Sequence, residues 1–97
     1  MTIDHIQAAV ARRCGISVLE LTSARRARKT ARARHMAVWL CRQLTDESLT
    51  GIGRAFGDRD HSTVLHSIAR TERAMAMEEM WGFTAKSLRA QLEGETP

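Results

Sequence analysis

Four successive polar residues, Asp60-His61-Ser62-Thr63, have side chains suited to reading DNA base edges. A carboxylate accepts from the amino group of cytosine, a hydroxyl donates or accepts, and the methyl of threonine packs against that of thymine. An imidazole can also donate to or accept from a base edge. The four residues precede an apolar pattern with helical spacing, so we expect them in the first turn of a helix. Asp60 taken alone favours a helix N-cap, and the two roles are compatible.

Apolar residues with helical spacing stand on either side of a short turn: Leu49, Ile52 and Phe56 before it, and Val64, Leu65 and Ile68 after it. Gly57 follows the first group, where a left-handed residue usually ends a helix. Two helices joined by so brief a turn form a helix-turn-helix, whose second helix enters the major groove. The spacing therefore predicts a helix that presents Asp60 to Thr63 to DNA.

The basic charge is concentrated in the first half of the chain. The 97 residues carry a net charge of +4 with histidine neutral, but residues 1–45 hold nine Lys and Arg against two acids. A localised basic surface is typical of proteins that bind a polyanion, most often nucleic acid. A membrane surface is the rival partner. The sequence shows no signal peptide, no apolar run of spanning length, and no basic helix with a broad apolar face, so we expect no membrane contact.

The composition predicts one small all-α domain over residues 1–97. Good helix formers dominate, runs of β-branched residues are missing, and there is one proline. Helical periodicity predicts a central helix from Arg28 to Leu44 and an additional C-terminal helix within residues 74–97, interrupted near Gly82. A capping-box pattern at Ser17 predicts a short helical turn that directs Val18, Leu19 and Leu21 to the core. The methionines at 75, 77 and 80 are expected to fill gaps in the core.

A second face of the central helix is predicted to be exposed. Its residues recur at steps of three and four: Arg28, Arg32, His35, Trp39 and Arg42. We expect this stripe to face phosphate, with Trp39 lying over arginine side chains. The alternative is a protein partner bound through Trp39 or the C-terminal helix.

The cysteine and histidine spacing does not predict a metal site or a cofactor. Cys14 and Cys41 are far apart on apolar stripes, which is typical of core residues in a reducing cytosol. His61 and His66 are five residues apart and do not share a helix face. A nuclease built on Asp58 and the neighbouring Asp60 and His61 is disfavoured, because adjacent residues point in different directions and cannot converge on a metal. We expect no enzymatic activity.

Three stretches resemble one known family: TIDHIQAAVA, SARRARKTARARHMAVWLCRQLTDESL and GIGRAFGDRDHSTVLHS. Together they cover about residues 2–67, and they are similar to the C-terminal DNA-binding domain, domain IV, of the bacterial replication initiator DnaA. The resemblance implies a TrpR-like helix-turn-helix that binds double-stranded DNA at DnaA boxes. It implies a place in the cytoplasm, at the nucleoid, in replication initiation or transcription control.

The resemblance also implies roles for individual residues. Arg26 matches a minor-groove reader, and an arginine on a loop can enter a narrow A·T-rich groove. Arg34 and the position of His35 match contacts to the DNA backbone, although glutamine is usual at 35. Thr50 replaces a common proline and Ser62 a common threonine, which removes a methyl that could touch thymine. The complete predicted DNA-binding set is Arg26, Arg34, His35, Arg42, Thr50, Arg59, Asp60, His61, Ser62 and Thr63.

The sequence lacks G-x-x-x-x-G-K-[ST], so the ATPase of the initiator is not encoded in it. Two settings stay open. A complete chain would be a free-standing reader of DnaA boxes, competing with the initiator or regulating transcription, whereas a part of a longer chain would be the box-binding domain of an initiator. A protein-interaction module, or a regulator that has lost box specificity, is the alternative function. We expect a monomer.

Overall fold

The computed structural model describes residues 1–95, which form six helices and no strand. The helices are α1 (Ile3–Cys14), α2 (Val18–Leu21), α3 (Arg28–Leu44), α4 (Leu49–Ala55), α5 (His61–Ala76) and α6 (Met80–Gly94). The all-α prediction is confirmed, and α3 has the bounds that helical periodicity predicted. The additional C-terminal helix is α6.

Local capping signals set the helix ends. Thr2 begins α1, where its hydroxyl accepts from the backbone N–H of His5 at 3.2 Å. Gly15 ends that helix in the left-handed conformation, with φ 69°. Ser17 caps α2 by accepting from the N–H of Glu20 at 3.0 Å. These ends depend on the residues at each terminus, and for that reason they are readable from sequence.

The short helix α2 buries less than the sequence predicted. Leu21 is buried, but Val18 is exposed and Leu19 is 82% exposed. A helix of four residues has only about one turn, so it can direct one side to the core. The prediction that all three residues face the core is therefore wrong for Val18 and Leu19.

The central helix α3 packs against α1, α5 and α6. The apolar stripe that its helical spacing predicts is buried at Ala33, Met36, Ala37, Leu40 and Cys41 and partly buried at Leu44. Trp39 is buried as well, at 3% exposed, and the guanidinium of Arg89 from α6 lies 5.8 Å from its ring centroid. The predicted exposed stripe is therefore wrong at Trp39, because α6 covers that face. Trp39 offers no surface to a protein partner.

The crossing of α5 and α6 depends on Gly82. A Cβ atom at this position would lie 2.7 Å from the backbone carbonyl of Ala74, so only glycine permits the approach. Gly82 lies inside α6, and the predicted interruption there is wrong. The prediction of core methionines is also wrong for Met77 and Met80, which are 66% and 83% exposed. Met77 is the C-cap of α5 and Met80 is the first residue of α6, so both lie at the connection between the two helices.

Both cysteines are free thiols, and they differ in burial. Cys41 is fully buried, and burial raises the pKa of its thiol to about 12, so it remains protonated. Cys14 is half-buried at the end of α1. Within residues 1–95, no group of three or more His, Cys, Asp or Glu side chains could hold a metal ion. No helix in the same range is long and apolar enough to cross a bilayer.

Candidate nucleic-acid interface

Helices α4 and α5 form the predicted helix-turn-helix. Ile52, Phe56 and Val64 are at most 1% exposed and pack the two helices together. Gly57 adopts the expected left-handed conformation with φ 89°. Asp58 also has a positive φ, 57°, which the sequence did not reveal. Aspartate tolerates this region because its short side chain can hydrogen-bond locally.

The turn folds back tightly onto α4 at Gly53. The carbonyl of Gly53 accepts from the N–H of Phe56 at 3.2 Å and from that of Arg59 at 2.9 Å. A Cβ atom at Gly53 would lie 2.1 Å from the carbonyl oxygen of Arg59. Only glycine allows this approach, which determines where α5 begins relative to α4.

Asp60 caps the first turn of α5. One of its carboxylate oxygens accepts from the N–H of Thr63 at 2.9 Å and from the hydroxyl of Ser62 at 2.8 Å. The bond from the Thr63 backbone lowers the pKa of Asp60 below its ordinary value, and the bond from Ser62 adds to the effect. The carboxylate is therefore engaged within its own helix, while His61 and Ser62 are exposed and Thr63 is half-buried.

Arg59 connects the turn to the loop of residues 22–27, which we call the Arg26 loop. Its Nε donates to the carbonyl of Phe56 at 2.8 Å, and its Nη2 donates to the carbonyl of Ser23 at 2.8 Å. Arg59 is half-buried. The structure gives this predicted DNA-binding residue two backbone partners inside the protein.

Arg34 holds the Arg26 loop from the other side. Its Nε donates to the carbonyl of Leu21 at 2.9 Å, and its Nη2 donates to those of Ser23 at 2.9 Å and Arg25 at 3.0 Å. Arg34 is 5% exposed. Burial, and then the neighbouring charge of Arg59, lowers its pKa, although an arginine stays charged at neutral pH. This buried placement does not fit the predicted phosphate contact.

The carbonyl oxygen of Ser23 thus accepts from both Arg34 and Arg59. Arg26 is exposed and follows directly after Arg25, whose carbonyl Arg34 holds. Arg25 itself is anchored by an ion pair with Glu20 at 3.1 Å. The structure therefore brings the Arg26 loop and the start of α5 onto one hydrogen-bonded scaffold.

His35 lies between α3 and α5. Its Nδ1 is 2.9 Å from the hydroxyl oxygen of Ser67, and its ring is 5.7 Å from that of His66. Burial lowers the pKa of His35 to about 4, and the nearby His66 and Arg34 add to the effect. The ring is neutral at pH 7, so it has no charge to attract a phosphate. The position of His35 fits a contact that holds α3 against α5 better than it fits the predicted contact with the DNA backbone.

Thr50 and Arg42 are exposed, but they lie in different places. Thr50 shares a shallow cleft of about 320 Å³ with the start of α5, including His61. Arg42, in the last turn of α3, does not line this cleft. Arg54 does line it, and the sequence reasoning missed this residue. Its position four residues after Thr50, on the same helix face, was the available signal.

Comparison with known proteins agrees with this architecture. The profile of the family described as "Bacterial dnaA protein helix-turn-helix" matches residues 3–70. The chain is 43% identical over 94 residues to the chromosomal replication initiator protein DnaA of Gluconobacter oxydans. It is 45% identical over 94 residues to that of Caulobacter vibrioides. Each alignment covers 97% of this chain but only 20% and 19% of the relatives, so the chain spans about a fifth of their length.

A solved structure shows the same fold. The crystal structure of a DNA replication initiation factor superimposes with a TM-score of 0.80 and 31% sequence identity, over 92% of this chain and 27% of that one. The family profile spans α1 to α4 and the first ten residues of α5, whereas the structural match covers 92% of the chain. The chain therefore belongs to the bacterial DnaA helix-turn-helix family and corresponds to the C-terminal domain of these initiators.

Proposed function

We propose that the chain binds double-stranded DNA at DnaA-box-like sites, with the first turn of α5 in the major groove and Arg26 in the adjacent minor groove. The observation that carries the proposal is the carbonyl of Ser23, which accepts from Arg34 at 2.9 Å and from Arg59 at 2.8 Å. These bonds join the Arg26 loop to the helix-turn-helix. Two reading elements held by one scaffold can be spaced for neighbouring grooves.

Within the first turn of α5, Asp60 and His61 have different roles. Asp60 holds the turn by accepting from Thr63, which leaves the exposed His61 to contact base edges. The remaining free amides and the positive end of the helix dipole attract a phosphate. One helix end thus supplies both a phosphate contact and base readout.

Phosphate contacts around this turn come from exposed residues. Thr50 and Arg54 line the cleft beside His61, and Arg42 is exposed on the central helix. Such contacts position a protein on DNA without carrying sequence information. Arg34, His35 and Arg59 then act as positioning residues, because each of them has a hydrogen-bond partner inside the protein.

The relatives are named as chromosomal replication initiators, which favours a role in replication initiation for this domain. The same contact with DnaA boxes would serve an initiator, a free-standing competitor at the origin, or a transcription regulator. Each of these acts in the cytoplasm at the nucleoid. No chemical step is assigned to the domain in any of these settings.

The test is a binding titration with two duplexes of equal length and base composition. One carries a DnaA box and the other carries the same bases scrambled, and fluorescence anisotropy is measured at salt concentrations from roughly 50 to 200 mM. We expect roughly 10³-fold preference for the box, and a linear fall of log affinity with log salt. Equal affinities would refute the box specificity. Weak binding without a salt dependence would refute DNA binding itself.

A further inference from the structure

A second basic surface lies where α1 ends and where α3 and α6 begin. It is a cleft of about 480 Å³ whose floor includes Met36 and Trp81. Its rim carries four basic residues: Arg13, Arg28, Lys29 and Arg32. None of the residues that line it also lines the cleft beside His61. We call this surface the rear cleft.

The rear cleft has an excess of positive charge. No acidic residue lines it, and three of its four basic residues are exposed. Glu79, the N-cap of α6, accepts from the indole N–H of Trp81 at 2.7 Å and lies 3.6 Å from Arg70. It also interacts with the charge of Arg32, which leaves Arg13, Arg28 and Lys29 as the exposed charges of the rim. The rim therefore favours a ligand that brings its own carboxylates or phosphates.

An exposed apolar patch continues from the rear cleft along α6. Thr84 lines the cleft, and its hydroxyl donates to the carbonyl of Met80 one turn earlier at 3.3 Å. Met80 is 83% exposed and Phe83 is 47% exposed. Residues three and four apart share a helix face, so Met80 lies between Phe83 and Thr84 on that face. An exposed Met and Phe beside a cleft form an adaptable apolar contact surface.

We propose that the rear cleft and the Met80–Phe83 patch dock an acidic amphipathic helix from a partner protein. The apolar face of that helix would cover Met80 and Phe83 and insert a side chain toward Trp81. Its carboxylates would pair with Arg28 and the other basic residues of the rim. A DNA backbone complements the charge but has no apolar group for Met80 and Phe83, and for this reason an acidic protein segment fits the combined surface better.

The docking surface is separate from the proposed reading turn, so the domain can hold DNA and a protein partner together. The probe is a synthetic 16-residue peptide with Leu and Phe at helical spacing and Glu at the remaining positions. It is titrated into the ¹⁵N-labelled chain. We expect shifts in the amide resonances of residues 28–32 and 80–84 and in the indole resonance of Trp81, with residues 60–63 unaffected. A peptide with Gln in place of Glu should bind at least tenfold more weakly.

Two variants, each with a matched control, distinguish the loss of docking from general effects of charge or hydrophobicity. Arg28→Glu should weaken the peptide at least fivefold, whereas Arg54→Glu, an equal charge change at an exposed residue of the cleft beside His61, should change affinity less than twofold. Glutamate suits the first turn of α3, so Arg28→Glu should fold normally. Phe83→Ser should weaken the peptide at least threefold, whereas Leu65→Ser, with the same 47% exposure, should not.

Competition with other ligands completes the test. A DnaA-box duplex should bind beside the peptide and leave the resonances of residues 80–84 in their peptide-bound positions. The inference is overturned if the duplex displaces the peptide, or if 1 mM peptide shifts no resonance of the rear cleft. It is also overturned if phosphatidylglycerol vesicles shift those resonances while the peptide does not, because the anionic partner would then be a lipid surface. Failure of box specificity would leave these outcomes unchanged.

Discussion

Neighbouring residues at the start of α5 have different tasks because their hydrogen bonds differ. The carboxylate of Asp60 is occupied by the N–H of Thr63 and the hydroxyl of Ser62. His61 is exposed beside it. In our proposal, removing the Asp60 side chain removes the cap of α5, whereas removing the His61 side chain removes only a contact with DNA.

Replacing His61 with Ala should reduce discrimination between the box and scrambled DNA by roughly 1–3 kcal/mol, because one base-edge contact is lost. Affinity for scrambled DNA should stay nearly the same, since the phosphate contacts remain. The two-duplex titration measures both. Asp60→Ala is the comparison variant, and it should lower stability by about 1 kcal/mol through the lost cap. A folded His61→Ala variant with full preference for the box would exclude His61 as a reader.

A second residue-scale effect concerns His35, where burial lowers the pKa to about 4. The unfolded chain binds a proton at this residue below its ordinary pKa of about 6.5, whereas the folded chain does not until about pH 4. Between these values the unfolded state binds more protons, so stability rises with pH. The titration of His35 thus leaves the free energy of unfolding unchanged above about pH 6.5 and lowers it as the pH falls toward about 4.

The chain should therefore lose stability between pH 7 and pH 5, with a slope from His35 of at most about 1.4 kcal/mol per pH unit. His35→Gln introduces the residue usual in the family, which does not titrate, and should flatten this slope. Urea denaturation at several pH values measures the free energy of unfolding for both proteins. Asp60 does not contribute to the slope between pH 5 and pH 7, because its pKa is lowered and it titrates below this range. Parallel curves for the two proteins would contradict the assignment.

At the scale of elements, the orientation of α5 depends on two contacts that involve backbone atoms. Gly53 lets the turn pack against α4, and the shared carbonyl of Ser23 fixes the Arg26 loop against the turn. The first is a contact between backbone atoms, whereas the second is a hydrogen bond from the side chain of Arg59 to a backbone carbonyl. The readout geometry should therefore be sensitive to substitutions that never touch DNA.

Gly53→Ala should lower the free energy of unfolding by about 1–3 kcal/mol, since the new methyl meets the backbone of Arg59. Gly51→Ala in the same helix is the matched control. Its Cβ would lie 2.9 Å from the carboxylate end of Glu47, a flexible group that can move, and 3.3 Å from the hydroxyl oxygen of Ser48, and it would meet no backbone atom this closely. Alanine favours a helix interior over glycine by up to about 1 kcal/mol, so Gly51→Ala should be neutral or stabilising. Equal stability of the two variants in urea would contradict the close approach.

Arg34 and Arg26 should behave as one unit. Arg26→Ala should weaken binding to boxes with an A·T-rich flank more than to boxes with a G·C-rich flank, because a minor-groove contact is lost. Arg34→Gln should reduce the same flank preference although Arg34 is buried, since it releases the Arg26 loop. The double variant should add little to either change.

Binding is measured on both flanks well below each variant's melting temperature, which separates readout from unfolding. Additive effects would contradict the coupling between Arg34 and Arg26. Uniform weakening by Arg26→Ala on both flanks would show a phosphate contact at Arg26 in place of minor-groove readout.

At the scale of the whole molecule, the basic charge serves two separate surfaces in our proposals. In the proposed function Arg42 and Arg54 contact phosphate, whereas Arg13 and Arg28 line the rear cleft. A domain with basic residues on more than one side attracts nucleic acid from a distance, but only some of those residues contact phosphate. The dependence of affinity on salt distinguishes them, because it counts the phosphates that are neutralised.

Arg42→Ala should lower affinity for box and scrambled DNA alike and should reduce the salt slope by about one unit, because one phosphate contact is lost. Lys86→Ala is the matched control. It removes the same charge from an exposed position on α6, outside both clefts, and should leave the slope unchanged. A slope that Arg42→Ala does not change would remove this residue from the interface.

The sequence by itself determined the features that depend on neighbours in the chain. Ser17 and Asp60 cap helices, Gly57 ends the first helix of the motif, and α3 runs from Arg28 to Leu44 as predicted. Each of these results from hydrogen bonds or apolar spacing within a few residues, so a local pattern contains the information. The family resemblance has the same origin, because its motifs are continuous stretches.

Only the tertiary structure decided which helix faces are covered. Helical spacing gives the angular position of Trp39 on α3 and of Met80 on α6, but it does not show that α6 covers Trp39 or that Met80 is left 83% exposed. A helix such as α3, which contacts all five other helices, can bury almost any face, and periodicity cannot tell which neighbours cover which face. The burial of Arg34 could not be predicted from the sequence either. Its partners are backbone carbonyls, which every residue has, so no residue pattern identifies them.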